Sequence, residues 1–285
     1  MVLTKNIKEY CSDRKAAIKV EIERMKKKPI LAVIQVGDNE ASLRYIRNKQ
    51  KDCEEVGIIF EWYYFEEDIT TEEMVEEITD LVPYVDGLIV QMPLPPHIDE
   101  AAIKLAIPPE KDVDGFHPMS NFQPCTPKGI VDYLKTCRFS FTGLNAVIFG
   151  RSDIVGKPLA KMLTDLDMTV TLCHSKSKNV WHHISAADLI VVAVGKEKFF
   201  NCYAVKCPVI DVGINFDENG KLVGDCYNTE GKDVSPVPGG VGLLTRIALL
   251  ENAVLAAKTG RVLPCRANDG QCNMTCEYFD EKCTF

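Results

Sequence analysis

The stretch that most constrains the fold of this chain is residues 145–158. Four apolar residues at 146–149 predict a buried strand, and this strand runs directly into Gly150. Gly156 follows six positions later, and Pro158 stands where the first turn of a helix accepts proline. A strand, a glycine turn and a helix N-terminus bring backbone N–H groups and the positive end of the helix dipole to one point, which suits a phosphate. The stretch therefore predicts a dinucleotide-binding turn, with an ordinary glycine-capped turn between a strand and a helix as the alternative.

The end of the next predicted strand bears on which dinucleotide binds. NAD-binding sites usually carry an Asp or Glu there, which holds the ribose 2′-hydroxyl. This chain has Ser175, Lys176 and Lys178 after the predicted strand 169–172, and residues 173–178 contain no carboxylate. Arg151 in the turn adds a further cation, and Ser152 takes the place of the middle glycine in the common G-x-G-x-x-G fingerprint. These residues favour NADP over NAD, although each lysine alone could be a solvated loop charge.

Strands and helices alternate along the chain, which predicts a parallel, doubly wound α/β sheet in the second half and another α/β unit in the first. Strands are predicted at 30–36, 58–65, 85–90, 146–149, 169–172, 188–194 and 209–212. Helices are predicted at 7–25, 41–56, 71–81, 98–105, 127–134, 158–166 and 243–258. A proline-rich connector precedes residue 127. We therefore predict domains at 1–120 and 121–242, a helix at 243–260 that crosses back onto the first domain, and a tail at 261–285.

Composition and charge exclude several classes of protein. The apolar fraction of 46% is ample for a core, and the net charge of −8 implies no general affinity for nucleic acids. No apolar run approaches the length of about 18 residues that a membrane-spanning helix needs, and the N-terminus lacks the apolar segment of an export signal. We therefore expect a cytoplasmic protein whose twelve cysteines are reduced thiols.

Four of the cysteines lie close together near the C-terminus. Cys265, Cys272, Cys276 and Cys283 have the spacing C-x6-C-x3-C-x6-C, which matches no common zinc pattern. We expect an irregular tail and no metal site, with metal binding by these four thiols as the alternative.

One predicted helix carries a candidate acid–base group. Tyr45 and Lys49 are i,i+4 neighbours and so share a helix face, with Ser42 one turn earlier. A lysine held in a cleft can activate a water molecule at neutral pH, whereas the alternative is an ordinary surface lysine. Short-chain dehydrogenases also carry Tyr-x-x-x-Lys, but there the pair follows the dinucleotide turn. Here it precedes Gly150 by roughly a hundred residues, so we discount that class.

Three further segments carry polar or rigid groups, one of them at a strand end, where ligands of α/β sheets gather. Gln91 ends a predicted strand, and its amide either faces a ligand or caps a turn. Asp112 and Asp114 either hold the N–H groups of a substrate or form an Asx-turn. The loop 236–242 contains Pro238, Gly239 and Gly240, and it is expected to lie between the domains near a nicotinamide ring.

Taken together, these segments resemble the bifunctional methylenetetrahydrofolate dehydrogenase/cyclohydrolase family over roughly residues 1–260. Five stretches match in order, at 36–49, 91–95, 111–118, 150–158 and 236–242. The chain departs from the family pattern in two places. Leu243 stands where the family commonly has proline, and the segment 117–124 is shorter than usual.

The resemblance implies two α/β domains around a cleft, the first binding folate and the second a Rossmann-like NADP-binding domain, in a homodimer. It implies oxidation of 5,10-methylenetetrahydrofolate to the methenyl cation with NADP, followed by hydrolysis to 10-formyltetrahydrofolate. It further implies a place in one-carbon metabolism, which serves purine, methionine and histidine biosynthesis. A dehydrogenase that lacks cyclohydrolase activity and a non-catalytic folate-binding protein remain as alternatives.

The resemblance also implies roles for individual residues. Lys49 would be the key group of hydrolysis, held by a hydrogen bond to Gln91, while Tyr45 would stack on the aminobenzoyl ring of the substrate. Asp114 would bind the N–H groups of the pterin. The NADP site would be lined by Gly150, Arg151, Ser152, Ser175 and Ile214. We add Lys176 to this site on the basis of its charge.

Overall fold

The computed structural model describes residues 3–259. The predicted tail 261–285, with its four cysteines, lies outside the described residues. The strands are Ile30–Val36 (β1), Ile59–Phe65 (β2), Gly87–Val90 (β3), Asn145–Phe149 (β4), Thr169–Cys173 (β5), Leu189–Val192 (β6), Phe200–Asn201 (β7), Val209–Asp211 (β8), Asn215–Phe216 (β9), Leu222–Val223 (β10) and Cys226–Tyr227 (β11). The helices are Ile7–Glu23 (α1), Glu40–Val56 (α2), Thr71–Leu81 (α3), Glu100–Ala106 (α4), Cys125–Thr136 (α5), Gly156–Thr164 (α6), Val180–Ser185 (α7) and Val241–Lys258 (α8).

The first half of the chain forms a parallel sheet in the order β2-β1-β3. Every residue of β1 is buried, because helices cover both faces of the sheet. Val33 and Ile89 pack on one face with Ile46 of α2. The opposite face packs against α3 and α4 in a separate apolar cluster.

The second half forms a parallel sheet in the order β5-β4-β6-β8. Ile148 packs with Leu159 of α6 on one face, and Val147 packs with Ile184 of α7 on the other. This is a doubly wound sheet, so the predicted α/β class is confirmed. The winding of the sheet changes direction between the neighbouring strands β4 and β6, because the chain runs from β4 to β5 on one side and from β6 to β8 on the other. Ligands of such sheets bind at the carboxyl ends of the strands beside this point.

Helix α8 connects the two halves of the structure. It packs on both α1 and α5, and its Glu251 forms ion pairs with Arg14 of α1 and Lys128 of α5. Buried Asn252 donates through Nδ2 to the carbonyl oxygens of Val113 and Gln123, at 2.9 and 3.1 Å. These contacts hold the segment between β3 and α5 against the helix.

Several predicted boundaries are wrong for local physical reasons. Helix α8 begins at Val241, two residues before its predicted start, so the end of the loop 236–242 forms its first turn. Strand β6 stops at Val192, two residues early, because the N–H of Val194 bonds to the side chain of Asp225. The four two-residue strands β7, β9, β10 and β11 were not predicted, since they are too short to show a periodic pattern.

Candidate active site

The two halves of the chain meet around a cavity of about 240 Å³. Tyr45 and Asn48 of α2 line it from the first half. Ile214, Pro238 and Gly239 line it from the second. The cavity therefore brings the predicted folate residue Tyr45 together with the predicted loop Pro238–Gly239–Gly240 and with one predicted NADP residue. Leu243, where the family commonly has proline, also lines this cavity and packs against the neighbouring apolar core.

Lys49 and Gln91 are in direct contact. Lys49 Nζ donates to Gln91 Oε1 at 3.1 Å, across the 42 positions that separate them in the chain. The Gln91 amide is oriented by its own Nε2, which donates to the carbonyl oxygen of Met92 at 2.7 Å. Its carbonyl oxygen therefore points at the lysine. The predicted hydrogen bond is confirmed, and the amide holds the ammonium at the carboxyl end of β3.

Tyr45 occupies the same face of α2 and is 40% exposed. Its ring is therefore available to a flat ligand in the cavity. Burial of the hydroxyl raises the pKa of Tyr45, while the nearby charge of Arg44 opposes the shift. The phenol is neutral at physiological pH, which suits stacking and hydrogen bonding.

Two carboxylates in the loop between α4 and α5, which runs beside β3, differ in what they contact. Asp112 is 2% exposed and accepts from the N–H groups of Gly115 and His117, at 3.2 and 2.8 Å. These bonds reach three and five residues along the chain, further than in the Asx-turn considered from the sequence, and through them Asp112 shapes its own loop. Asp114 is half-buried, and both carboxylates line a small pocket with Met92 and Phe116. Asp114 is the more exposed of the two, and it is therefore the better placed to meet a ligand.

Cys125 is a buried thiol of this region that the sequence analysis did not identify. Its Sγ donates to the carbonyl oxygen of Val113 at 3.3 Å. Burial raises the pKa of this thiol well above its ordinary value, the charge of Asp114 adds to the shift, and Lys49 opposes it. The thiol therefore stays protonated and lies near both Asp114 and Lys49. Nothing in the sequence distinguished it from the eleven other cysteines.

The glycines of the dinucleotide turn are required by close backbone contacts. Gly150 has φ +114°, and a Cβ built there would lie 2.1 Å from the carbonyl oxygen of Ala193. A Cβ at Gly156 would lie 2.1 Å from the carbonyl oxygen of Gly150. Strand end, turn and helix are thus pressed together, which leaves a cradle open toward solvent at the carboxyl edge of the sheet. The residues present fit a dinucleotide phosphate.

The source of the anion-binding groups differs from the prediction in one respect. Ser152 Oγ accepts from the N–H groups of Val155 and Gly156 at 3.2 and 3.4 Å, and the Ser152 carbonyl oxygen accepts from Lys157. The sequence analysis assumed that the first N–H groups of α6 are free to bind an anion. In the structure Ser152 already accepts from them. Within residues 3–259, no acceptor is seen for the N–H groups of 151–154. These, with exposed Arg151, are the donors available to a phosphate.

Ser175 and Lys176 lie beside this turn. Strands β4 and β5 are neighbours with Phe149 opposite Cys173, and Gly150 N donates to the Cys173 carbonyl oxygen at 2.9 Å. The loop after β5 is held by Ser177, whose hydroxyl accepts from the N–H of His174 at 2.9 Å. Both Ser175 and Lys176 are exposed at this edge. A cation and a hydroxyl therefore stand one strand away from the phosphate cradle.

Two buried carboxylates at the ends of β6 and β8 were also missed by the sequence analysis. Asp211 and Asp225 are 3% and 0% exposed. Asp225 accepts from the N–H groups of Val194, Gly195 and Lys196, at 2.7, 2.9 and 2.8 Å. Asp211 could have been identified from the sequence, because it ends an apolar strand. Asp225 could not, because it lies in a loop with no periodic pattern.

Gln35 is a third buried polar residue beyond the predicted set. It is 1% exposed and donates through Nε2 to the Gly37 carbonyl oxygen at 2.6 Å. Within the described residues, its Oε1 has no hydrogen-bond partner. The parallel register of β1 and β3 places Gln35 beside Gln91 on the same face of the sheet.

Other features of the described part of the chain bear on the remaining expectations. No helix between residues 3 and 259 is long and apolar enough to cross a membrane. The same residues contain no group of three or more His, Cys, Asp or Glu side chains arranged to hold a metal ion. The eight cysteines in this range are free thiols.

Comparison with known proteins agrees with this geometry. A model of the catalytic domain of tetrahydrofolate dehydrogenase/cyclohydrolase matches residues 5–114, and a model of the NAD(P)-binding domain of the same family matches residues 124–261. Bifunctional protein FolD of Brevibacillus brevis is 45% identical over 271 residues, which are 88% of this chain and 95% of that protein. The protein of the same name from Bacillus licheniformis is 42% identical, with the same shares covered.

Solved structures show the same relationship. Bifunctional FolD methylenetetrahydrofolate dehydrogenase/cyclohydrolase from Campylobacter jejuni matches with a TM-score of 0.86 at 41% identity, over 89% of this chain and 98% of that one. The dehydrogenase-cyclohydrolase of Trypanosoma brucei, solved with NADP and an inhibitor, matches with a TM-score of 0.83 at 29% identity, over 90% and 97% of the two chains. The resemblance inferred from the sequence is confirmed, and the chain belongs to the tetrahydrofolate dehydrogenase/cyclohydrolase family.

Proposed function

We propose that this chain oxidises 5,10-methylenetetrahydrofolate with NADP⁺ and hydrolyses the resulting methenyl cation to 10-formyltetrahydrofolate. The observation that carries the proposal is the hydrogen bond between Lys49 and Gln91 at the carboxyl end of β3. The ammonium is held by an amide one helical turn from Tyr45, which lines the cavity together with the loop 236–242. A dehydrogenase alone needs no such group, so its presence favours the bifunctional enzyme over the dehydrogenase-only alternative.

The oxidation requires alignment more than proton transfer. One C–H bond of the bridging methylene breaks, and a nitrogen lone pair of the substrate forms the new C=N⁺ bond as hydride leaves. Bound NADP⁺ supplies the hydride acceptor. The chain contributes orientation, with Tyr45 stacking on the aminobenzoyl ring and Asp114 pairing with the N–H groups of the pterin. Effective molarities of well-oriented reactants show that alignment alone can account for a large part of a rate enhancement.

The hydrolysis requires a proton to move twice. Water adds to the methenyl carbon and loses one proton, which leaves a carbinol. The carbinol O–H then loses its proton as the C=O bond forms and the C–N5 bond breaks, and N5 gains a proton. In our proposal Lys49 Nζ relays these protons, and Gln91 Oε1 keeps it directed at the reacting carbon. The protonated Cys125 thiol and the apolar packing behind it limit the access of other water molecules.

The finer assignments form part of the same proposal. Gly150, Arg151, Ser152, Ser175, Lys176 and Ile214 bind NADP, and Pro238, Gly239 and Gly240 form the wall of the folate pocket. Residues 1–120 form the folate domain, which the helix 243–260 completes, and 121–242 form the NADP domain. We also propose a cytoplasmic homodimer that supplies one-carbon units for purine, methionine and histidine synthesis, and no nucleic-acid partner.

A coupled assay with the full chain tests the proposal. NADPH formation and methenyl-folate decay are followed together after methylenetetrahydrofolate and NADP⁺ are added. We expect NADPH to form and methenyl-folate to decay faster than in a protein-free control. Decay at the protein-free rate would indicate a dehydrogenase only, and binding of folate without NADPH formation would indicate a non-catalytic protein.

Cofactor choice is tested in the same assay by comparing NADP⁺ with NAD⁺. We expect the KM for NADP⁺ to be lower by at least about tenfold, because Ser175, Lys176 and Arg151 can bind a 2′-phosphate through charge-assisted hydrogen bonds. Lys176→Ala should raise the KM for NADP⁺ and leave the KM for NAD⁺ unchanged. Lys161→Ala, at an exposed position of α6, serves as the control. Comparable KM values for the two cofactors in the wild type would contradict the assignment.

A further inference from the structure

Asp211 and Asp225 form a buried anionic pair at the end of the second sheet, and no part of the proposed chemistry uses them. Each oxygen of Asp225 accepts two hydrogen bonds. Oδ2 accepts from Val194 N and Gly195 N, and Oδ1 accepts from Lys196 N and from Asn215 Nδ2 at 2.9 Å. Both oxygens of this carboxylate therefore face donors only.

Asp211 is bound in the same manner and touches its neighbour. Its Oδ1 accepts from Gly213 N and Asp225 N, at 2.9 and 3.0 Å, and its Oδ2 accepts from Cys226 N at 2.9 Å. Among residues 3–259, neither carboxylate forms an ion pair with a Lys, Arg or His side chain. The pair therefore holds negative charge that is balanced by backbone dipoles and one amide, and by no cation.

Glycines let this pair approach the wall of the cleft. A Cβ at Gly213 would lie 2.2 Å from Asp225 Oδ1, and a Cβ at Gly224 would lie 1.9 Å from Asp211 Oδ2. Gly213, Asp211 and Ile214 all line the cavity shared with Tyr45. The two carboxylates thus lie directly behind the surface that a ligand in this cavity would contact.

The strand order indicates which part of the cofactor meets this surface. The 2′-phosphate residues follow β5, and the phosphate cradle follows β4. A dinucleotide that continues in the same direction along the carboxyl edge reaches the ends of β6 and β8. Its nicotinamide ring would then meet the loops 193–196 and 212–215, both of which are bonded to Asp225.

From this arrangement, which rests on the proposed function, we propose that Asp211 and Asp225 make the site favour NADP⁺ over NADPH. The oxidised nicotinamide ring carries a positive charge, and the reduced ring is neutral. A fixed negative charge behind the ring attracts only the oxidised form, and in a partly buried site this attraction is weakly screened. The two residues are positioning and electrostatic residues, and they take no part in hydride transfer.

The test measures binding in the absence of folate, so that no turnover occurs. The dissociation constant of NADPH is obtained from its fluorescence and that of NADP⁺ by displacement, both with the full chain. Asp225→Asn removes the charge with little rearrangement, since Asn215 can turn its amide to accept and only Lys196 N loses its partner. Loss of the Lys196 hydrogen bond should weaken the binding of NADP⁺ and NADPH alike. Loss of the charge should weaken the binding of NADP⁺ alone.

We expect the ratio Kd(NADPH)/Kd(NADP⁺) to fall on the order of tenfold in Asp225→Asn, which corresponds to about 1.4 kcal/mol. Asp225→Glu keeps the charge and should keep the wild-type ratio even if both affinities fall. Asp217→Asn is the matched control. Asp217 also accepts two backbone N–H bonds at 2.9 Å, but in the turn between β9 and β10, and its loss should leave the ratio unchanged.

An unchanged ratio in Asp225→Asn would overturn the inference, as would a fall of equal size in Asp217→Asn. If circular dichroism shows that Asp225→Asn does not fold, Asp211→Asn replaces it with the same expected fall. A wild-type chain that binds neither dinucleotide would overturn the proposed function and this inference with it. If the wild-type chain binds both dinucleotides and Asp225→Asn leaves the ratio of their dissociation constants unchanged, only the inference is overturned.

Discussion

Lys49→Met is expected to abolish hydrolysis of methenyltetrahydrofolate while leaving measurable hydride transfer to NADP⁺. Methionine has a side chain of similar length, so the packing of α2 against the first sheet is preserved. It cannot move a proton, and it cannot donate to Gln91 Oε1, to which Lys49 Nζ donates at 3.1 Å. Positioned acid–base groups contribute about 10²- to 10⁴-fold to rates, so we expect a fall of that size in cyclohydrolase kcat.

The dehydrogenase step should respond less, because the substrate nitrogen expels the hydride without an enzymic proton donor. We expect this activity to fall by no more than about tenfold, through looser alignment of the folate. Lys51→Met is the matched control, since Lys51 is exposed on the same helix. Equal loss of both activities in a variant with wild-type thermal stability would contradict the assigned role of Lys49.

The geometry around Lys49 shows what a sequence can predict about a site of this kind. Tyr45 and Lys49 share a helix face by spacing alone, and the register of two parallel strands is regular, so their ends could be expected to converge. The bond from Lys49 to Gln91 was predicted from the family resemblance. Spacing could not have supplied it, because the contact spans 42 positions and depends on how α2 packs across the sheet.

The two aspartates in the loop between α4 and α5 show what could not be predicted from the sequence. Both Asp112 and Asp114 were candidates for binding a substrate, and the sequence offered no means of choosing between them. The choice follows from burial, because Asp112 is turned inward to bond with the N–H groups of its own loop. The role of Asp225 is harder still to predict from the sequence, since its donors come from loops about 10 and 30 residues away in the chain.

The phosphate turn shows a third kind of outcome. Its two glycines and their spacing predicted the strand, the turn and the helix correctly. Ser152 departs from the common fingerprint, which has a glycine at this position. In the structure its hydroxyl and carbonyl oxygens accept the first N–H groups of α6. The hydroxyl therefore does locally what a bound phosphate would do in the common turn, and the anion-binding donors move to the loop 151–154.

The second large predicted effect arises from the close backbone contact between Gly156 and Gly150 in that turn. Gly156→Ala is expected to destabilise the second sheet and to lower NADP⁺ affinity by at least about tenfold. Alanine ordinarily stabilises a helix by about 1 kcal/mol relative to glycine. Here its Cβ would lie 2.1 Å from the Gly150 carbonyl oxygen, and a backbone atom cannot move aside as the end of a flexible side chain can. Helix α6 must shift away from β4, which opens the cradle that holds the phosphate.

Overpacking of this kind costs about 1–3 kcal/mol and occasionally more, and we expect a net loss near the upper end of that range. In a chain of this size the loss should lower the melting temperature by roughly 5–10 °C. Gly242→Ala is the matched control for stability, because Gly242 also lies in the first turn of a helix, and a Cβ there meets nothing within 4 Å. Thermal melts of the two variants, with NADP⁺ titrations of Gly156→Ala, check the expectation. If Gly156→Ala melts no lower than Gly242→Ala and binds NADP⁺ like the wild type, the strand, turn and helix are not held by this contact.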